Sequence, residues 1–142
     1  MTTTITVKQV ASAIEEMRKL NDFKVVLGYA DIIKPVPVTT PIVAVSLKEC
    51  GIGKRKIRVD DSGEEIETQW RDITIVVGVD IYFPYATNQA LGIQIFDEIV
   101  QCLLLNEKFT VTEAFCEEAR YDVATQSILI PSSFTIIKTI AP

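Results

Sequence analysis

The stretch that most restricts what this chain can fold into runs from Arg71 to Asn106. Ile73, Ile75, Val77, Val79, Ile81 and Phe83 fall on every second residue. Side chains at period two share one face of a strand, so six large apolar groups point the same way. The alternate positions, Thr74, Val76, Gly78, Asp80 and Tyr82, make a mixed and only partly apolar second face. Pro84 ends the ladder because it has no N–H to donate. Leu91, Ile95, Ile99 and Leu103 then recur every fourth residue, the spacing of a helical stripe. A strand with one apolar face that leads into a helix with one apolar stripe predicts two packed layers.

The flanking segments extend this plan. Thr4 to Leu20 reads as a first helix, with Val7, Val10, Ile14, Met17 and Leu20 on one side and Glu15, Glu16, Arg18 and Lys19 on the other. Thr4 or Thr6 offers an N-cap oxygen, and Asn21-Asp22 is a stop signal. Phe23 to Ala30 is a short strand. Lys34-Pro35-Val36-Pro37 must be extended. Pro41 to Cys50 is a second strand whose run Ile42-Val43-Ala44-Val45 suits burial on both faces. After the long strand and helix, Asn106-Glu107-Lys108 stops the helix and Phe109 to Tyr121 reads as one strand. Asp122 to Ser127 turns, and Ile128 to Ile140 is the last strand, bent at Pro131. The expected fold is an α+β two-layer sandwich of residues 1–142. It has a mixed, mainly antiparallel sheet, two helices on one face and a projecting β-hairpin arm.

The arm is Gly51 to Arg71. Lys54, Arg55, Lys56 and Arg58 precede Asp60, Asp61, Glu64, Glu65 and Glu67, with Asp60-Asp61-Ser62-Gly63 as a tight turn between them. Too few apolar residues are present to bury both faces, so the hairpin stands away from the body. One basic and one acidic strand can pair across the hairpin, or dock on a complementary patch of a neighbouring subunit. Trp70 at the base is either a core-edge packer or an interface anchor, and its residue type favours core.

Catalytic chemistry is hard to place. There is no His among the 142 residues, which removes Ser/His/Asp and Cys/His arrangements and the commonest zinc ligand. Cys50, Cys102 and Cys116 lack metal or disulfide spacing, and Cys102 reads as a small buried hydrophobe. Gly51-Ile52-Gly53-Lys54 resembles a piece of a phosphate loop but lacks the full spacing. Adjacent carboxylates such as Glu117/Glu118 point to opposite strand faces. Glu113, Glu117, Glu118 and Asp122 read as the wet side of a strand, or as a negatively charged wall. Fourteen cations against nineteen anions give a net charge of -5, unsuited to holding a phosphate backbone. No apolar run reaches the roughly 20 residues that span a bilayer, and the N-terminus lacks a secretory pattern. These features predict a soluble cytoplasmic chain without catalytic residue, cofactor, metal, membrane contact or specific nucleic-acid binding.

The order of elements resembles the tail terminator proteins of long-tailed phages and phage-tail-like bacteriocins. The resemblance is carried by the first helix with Ile14, Met17 and Leu20, the strand Pro41 to Val45, the charged hairpin and the strand ending Ile81-Tyr82-Phe83-Pro84. The helix Ile93 to Ile99, Tyr121-Asp122 and Phe134-Thr135-Ile136 complete it. It implies a structural protein that forms a ring of its own copies, six-fold in that group, on the end of a tail tube. The tube protein would be its partner, with sheath or neck proteins as further neighbours. Assembly would take place in the bacterial host cytoplasm before the chain joins the virion or tail-like particle. The arm, Lys54 to Glu67, sits where such proteins project a loop towards the tube or an adjacent subunit. Two alternatives stand beside this reading: another ring protein of the head–tail neck, and a small enzyme or ligand-binding domain with an apolar cleft between sheet and helices.

Overall fold

The computed structural model describes residues 2–17, 23–28, 37–86 and 90–141. Helix α1 (Thr2–Met17) precedes β1 (Lys24–Leu27), β2 (Ile42–Val59) and β3 (Glu65–Pro84). Helix α2 (Ala90–Leu105) follows, then β4 (Val111–Cys116), β5 (Arg120–Asp122), β6 (Ser127–Ile130) and β7 (Ser132–Ile140). The strands make one mixed, mostly antiparallel sheet. β1 runs parallel to β2, β2 pairs with β3, and β3 pairs with both β6 and β7. The outermost pieces β5 and β4 lie beside β6 and β7 respectively. This is the expected α+β sandwich.

The alternation in β3 organises the body. Ile73, Ile75, Val77, Val79, Ile81 and Phe83 are all buried, and they share one cluster with Val10, Ala11 and Ile14 of α1 and Ile95, Ile99, Cys102 and Leu103 of α2. Both helices therefore lie on one face of the sheet. Phe96 adds a ring contact to Phe134 at a centroid distance of 5.9 Å. Among the described residues, the opposite face is covered at one end by a smaller cluster of Val38, Ile42, Ala44, Tyr82 and Leu129. The Val38 amide donates to the Thr125 carbonyl at 3.2 Å, which holds the chain before β2 across that end. The run Ile42 to Val45 is consequently buried on both sides, as its composition suggested.

Several boundaries differ from the sequence-based expectation. α1 begins at Thr2, so Thr6 is a buried residue inside the helix and not its N-cap. The side chains of Thr4 and Met17, residue Leu20 and the segment 29–36 with Lys34, Pro35 and Val36 lie outside the described residues. The second strand does not stop at Cys50, and the long strand does not start at Arg71. Both continue into the arm as single strands of 18 and 20 residues, because backbone pairing needs no apolar side chains to persist.

Phe109 to Tyr121 is not one strand. Four steps on the outer side, Cys116 to Arg120, span three on the inner side, Ser132 to Leu129. The extra residue splits β4 from β5 beside Pro131, whose carbonyl accepts the Glu117 amide at 2.8 Å. The last strand keeps one register on β3 from Phe83↔Ile128 to Arg71↔Ile140 and is interrupted only at Pro131.

Candidate functional site

β2 and β3 remain paired from Ile42↔Tyr82 to Val59↔Glu65, far beyond the ends of the other strands. Outward of Ile52↔Ile73 the ribbon has no layer over it. Residues 53–59 are all exposed, and on β3 only Ile66, Thr68 and Asp72 are half-buried between 65 and 72. The sequence forces this, since Lys and Glu dominate where Ile and Val alternate in the body.

Three irregularities bend the ribbon. One lies at Lys48, one between Ile52 and Arg55, and one where Thr68 to Trp70 oppose Lys56. In the last, the Thr68 hydroxyl donates to the Lys56 carbonyl at 2.7 Å, and the Trp70 amide donates to the Thr68 hydroxyl at 3.3 Å. Such bulges sharpen the local twist and re-aim the strand.

The tip is built on Asp60. Its Oδ1 accepts from the Ser62 amide at 2.9 Å, the Ser62 hydroxyl at 2.6 Å and the Glu64 amide at 2.9 Å. The Ser62 hydroxyl, followed by the Glu64 amide, holds the Asp60 carboxyl below its ordinary pKa. Gly63 takes a φ of 83°, in the left-handed region a residue with a side chain avoids. The tight turn at Asp60-Asp61-Ser62-Gly63 thus has a definite staple, and Asp60 works within the turn.

Cross-strand neutralisation is confined to Lys56 and Asp72 among the described residues, and Glu65 and Glu67 do not oppose cations. Directly opposed residues share a face. Ile57 stands opposite Glu67 and Val59 opposite Glu65, while Arg58 stands opposite Ile66. Glu65 and Glu67 therefore lie with Ile57 and Val59 on one face, and Lys56 and Arg58 lie on the other. Nearer the base, Arg55 stands opposite Arg71, a pair of like charges. The arm's ion pair among the described residues joins Lys56 Nζ to Asp72 Oδ1 at 3.2 Å. Asp72 also accepts from the Thr139 hydroxyl at 2.8 Å. That hydroxyl, then Lys56, keeps the Asp72 carboxyl below its ordinary pKa. Lys54, Asp61 and Glu64 are exposed.

Trp70 is not a core residue: it is 46% exposed, because the bulge at Thr68 turns it out at the base of the arm. Ile52, Ile57 and Val59 are each more than 60% exposed. The sequence places Ile57 and Val59 in the alternation Lys56-Ile57-Arg58-Val59, and Ile52 in the glycine-containing entry to the arm. Ile57 and Val59 oppose Glu67 and Glu65, so they lack apolar partners on the opposing strand, whereas Ile52 opposes Ile73. Asp72 was also missed, although it sits on the polar side of the alternation that marks β3.

The remaining candidates are structural or separate from the arm. Cys102 is buried, and its thiol donates to the Ala13 carbonyl at 3.4 Å. Burial, with Glu16 and Glu98 nearby, pushes its pKa up. Cys50 and Cys116 are exposed free thiols. Glu113, Glu117 and Glu118 are exposed along the outer edge of the sheet. Asp122 is not part of that wall, because its carboxylate accepts from the Thr125 amide at 3.1 Å and from the Thr125 hydroxyl. Between α1 and α2, Ile14, Phe23, Ile99 and Cys102 meet without room for a water molecule. A shallow apolar groove of about 250 Å³ lies elsewhere, lined by Val7, Lys8, Leu27 and Leu47.

No helix among the described residues is long and apolar enough to cross a membrane. No family model matches the sequence, and no curated protein matches it.

Proposed function

We propose that this chain is a structural tail protein, a terminator that closes the end of a phage-like tail tube as a ring of its own copies. The observation that carries the reading is the β2–β3 ribbon. It is an exposed extension of a well-packed body, it bears apolar groups and charges that have no counterpart within the arm, and it adds nothing to the core. A subunit in a closed ring needs such an unsatisfied surface directed at a neighbour, together with a rigid body that fixes the angle of contact. The order of elements, helix, two strands with an arm, long strand, helix and returning strands, supports the same reading through its resemblance to tail terminators. Six-fold symmetry follows from that resemblance. So do a tube protein as partner and a lumen through which DNA passes without being held.

The test is native mass spectrometry of the purified chain, followed by electron microscopy after mixing with tail tubes. Rings of uniform stoichiometry that cap tube ends are expected. A chain that remains monomeric and never decorates tubes overturns the proposal. Co-purification with a portal complex in place of the tube would move it to the neck. A reproducible thermal shift with one nucleotide or metabolite would support a ligand-binding domain.

A further inference from the structure

One face of the ribbon changes sign along its length. Ile73 lies on the core face of β3 and stands opposite Ile52. Outward from there, three steps on β2, Ile52 to Arg55, span two on β3, Ile73 to Arg71, and the extra residue of this bulge keeps Arg55 on the same face. Two steps, Arg55 to Ile57, then span four, Arg71 to Glu67, so alternation is preserved on both strands. The face that continues the helix-covered side of the sheet therefore reads, from base to tip, Arg55 with Arg71, Ile57 with Glu67, and Val59 with Glu65. Its base is cationic, its tip is anionic, and the exposed Ile57 and Val59 lie between. The other face carries Arg58 opposite Ile66, and the bridge from Lys56 to Asp72, which also accepts from Thr139. Among the described residues, Arg55, Arg71, Glu65 and Glu67 form no ion pair. Lys54 adds positive charge near the base, and Asp61 and Glu64 add negative charge at the tip.

We propose that this face docks on the same face of a second copy, the two arms lying antiparallel about a two-fold axis, so that the Arg55/Arg71 base of each meets the Glu65/Glu67 tip of the other. The occupant is a second copy because one face holds both halves of a complementary set in a fixed order, and a reversed copy of that order matches it. Parallel arms would set cation on cation and carboxylate on carboxylate. A guanidinium takes a carboxylate in a planar, two-point contact, and the like-charged pair Arg55 and Arg71 gains the counter-ions that its own chain does not supply. The same apposition covers Ile57 and Val59. The contact is isologous: the same patch serves on both sides. It joins two subunits, or two rings whose arms face each other, and it leaves Arg58 and Ile66 on the other face for a neighbour within a ring. One ribbon face is a small area, so single subunits pair weakly, and rings that engage many arms at once pair firmly. The inference goes beyond the ring reading and does not depend on it.

Charge exchange tests this. Arg55→Glu/Arg71→Glu makes base and tip acidic, and Glu65→Arg/Glu67→Arg makes both basic. By sedimentation velocity and native mass spectrometry, pairing of subunits or of rings should be at least about tenfold weaker in each variant than in the unaltered chain. The chain that carries all four changes has exchanged base and tip and should pair again. Raising salt from about 0.1 to about 1 M shortens the Debye length from about 10 to about 3 Å and should weaken the unaltered pair. Ile57→Cys, in a chain with Cys50→Ser and Cys116→Ser, should link to its own counterpart under a mild oxidant, because a two-fold axis through the middle of the face brings like residues together. Circular dichroism checks folding, and Glu65→Gln/Glu67→Gln replaces a reversal that does not fold and should weaken pairing in the same direction. Pairing that ignores these changes, a four-fold variant that folds without recovering it, or an Ile57→Cys chain that never links to itself overturns the two-fold contact. Each of these results leaves the tube-capping proposal standing, as does an arm that is covered only when tail tubes are added. An unaltered chain that is monomeric at every concentration overturns both.

Discussion

The ring of Phe83 occupies the space that a β-carbon on Gly92 would need: Cε1 lies 2.5 Å, and Cζ 3.0 Å, from that position. Ile130 Cδ1 presses on the same point at 2.6 Å. Phe83 ends the apolar face of β3 and Gly92 lies in the first turn of α2, so this contact sets how closely helix and sheet approach after Pro84. All three residues are buried.

Gly92→Ala is therefore expected to destabilise the fold. Overpacking at such a site costs about 1–3 kcal/mol, while the helix-propensity gain is under about 1 kcal/mol in a first turn. Thermal unfolding should show a lower Tm for Ala and a still lower one for Val. A higher Tm for Gly92→Ala would mean that the two layers are free to part.

Ile75 and Ile57 have the same chemistry and similar alternating surroundings but opposite fates. Ile75 is fully buried, whereas Ile57 is 61% exposed. Ile75→Ala should cost about 2–5 kcal/mol in denaturant unfolding. Ile57→Ala should stay within about 0.5 kcal/mol for the isolated subunit. Equal losses at the two sites would show that the arm belongs to the core.

Truncation tests the same division on a larger scale. Ile52 and Ile73 are directly paired, so residues 53–72 can be replaced by Asn-Gly, which suits a two-residue hairpin turn. The shortened chain should keep its far-ultraviolet dichroism and unfold cooperatively, and it should fail to form rings. Loss of the folded body would contradict the arm's separate status.

Trp70 is the sole tryptophan and stands half-exposed at the base of the arm. Its emission should resemble that of a hydrated indole when the subunit is dilute. On assembly it should shift to shorter wavelength and become shielded from iodide. Constant emission and quenching across the assembly transition would place the contact elsewhere.

The tip should respond to acid below the ordinary aspartate range. The folded-state pKa of Asp60 is depressed, so the turn's stabilisation is complete above the ordinary aspartate pKa of about 4 and is lost as pH falls through the lower, folded value. Amide resonances of Ser62 and Glu64 should titrate together below about pH 4, and Asp60→Asn should abolish that step. A titration at or above the ordinary value would show that the carboxylate does not hold the turn.

Much of the fold was legible locally. Alternation from Ile73 to Phe83 marked a strand with one core face, four-residue spacing from Leu91 to Leu103 marked a helix, and Asp60 to Gly63 marked the tip of a hairpin. Each of these signals depends on side chains a few positions apart, whose geometry backbone periodicity fixes. The charges Lys54 to Glu67 were likewise visible as an arm too polar to bury.

Other features belong to register and to distant neighbours. Tyr82 looked like a residue of an open face, yet it is fully buried because Val38, Ile42 and Leu129 meet over it. Trp70 looked like core until the bulge at Thr68 turned it outward. Glu65 and Glu67 oppose Val59 and Ile57, not cations, because the turn from Asp60 to Glu64 sets the register of the pairs next to it. The sequence by itself determined which segments are strands, helices and turns, since that follows from local sterics and the spacing of apolar groups. Only the tertiary structure decided which strands lie side by side and in what register, because a shift of one residue moves every side chain to the other face and nothing local forbids it.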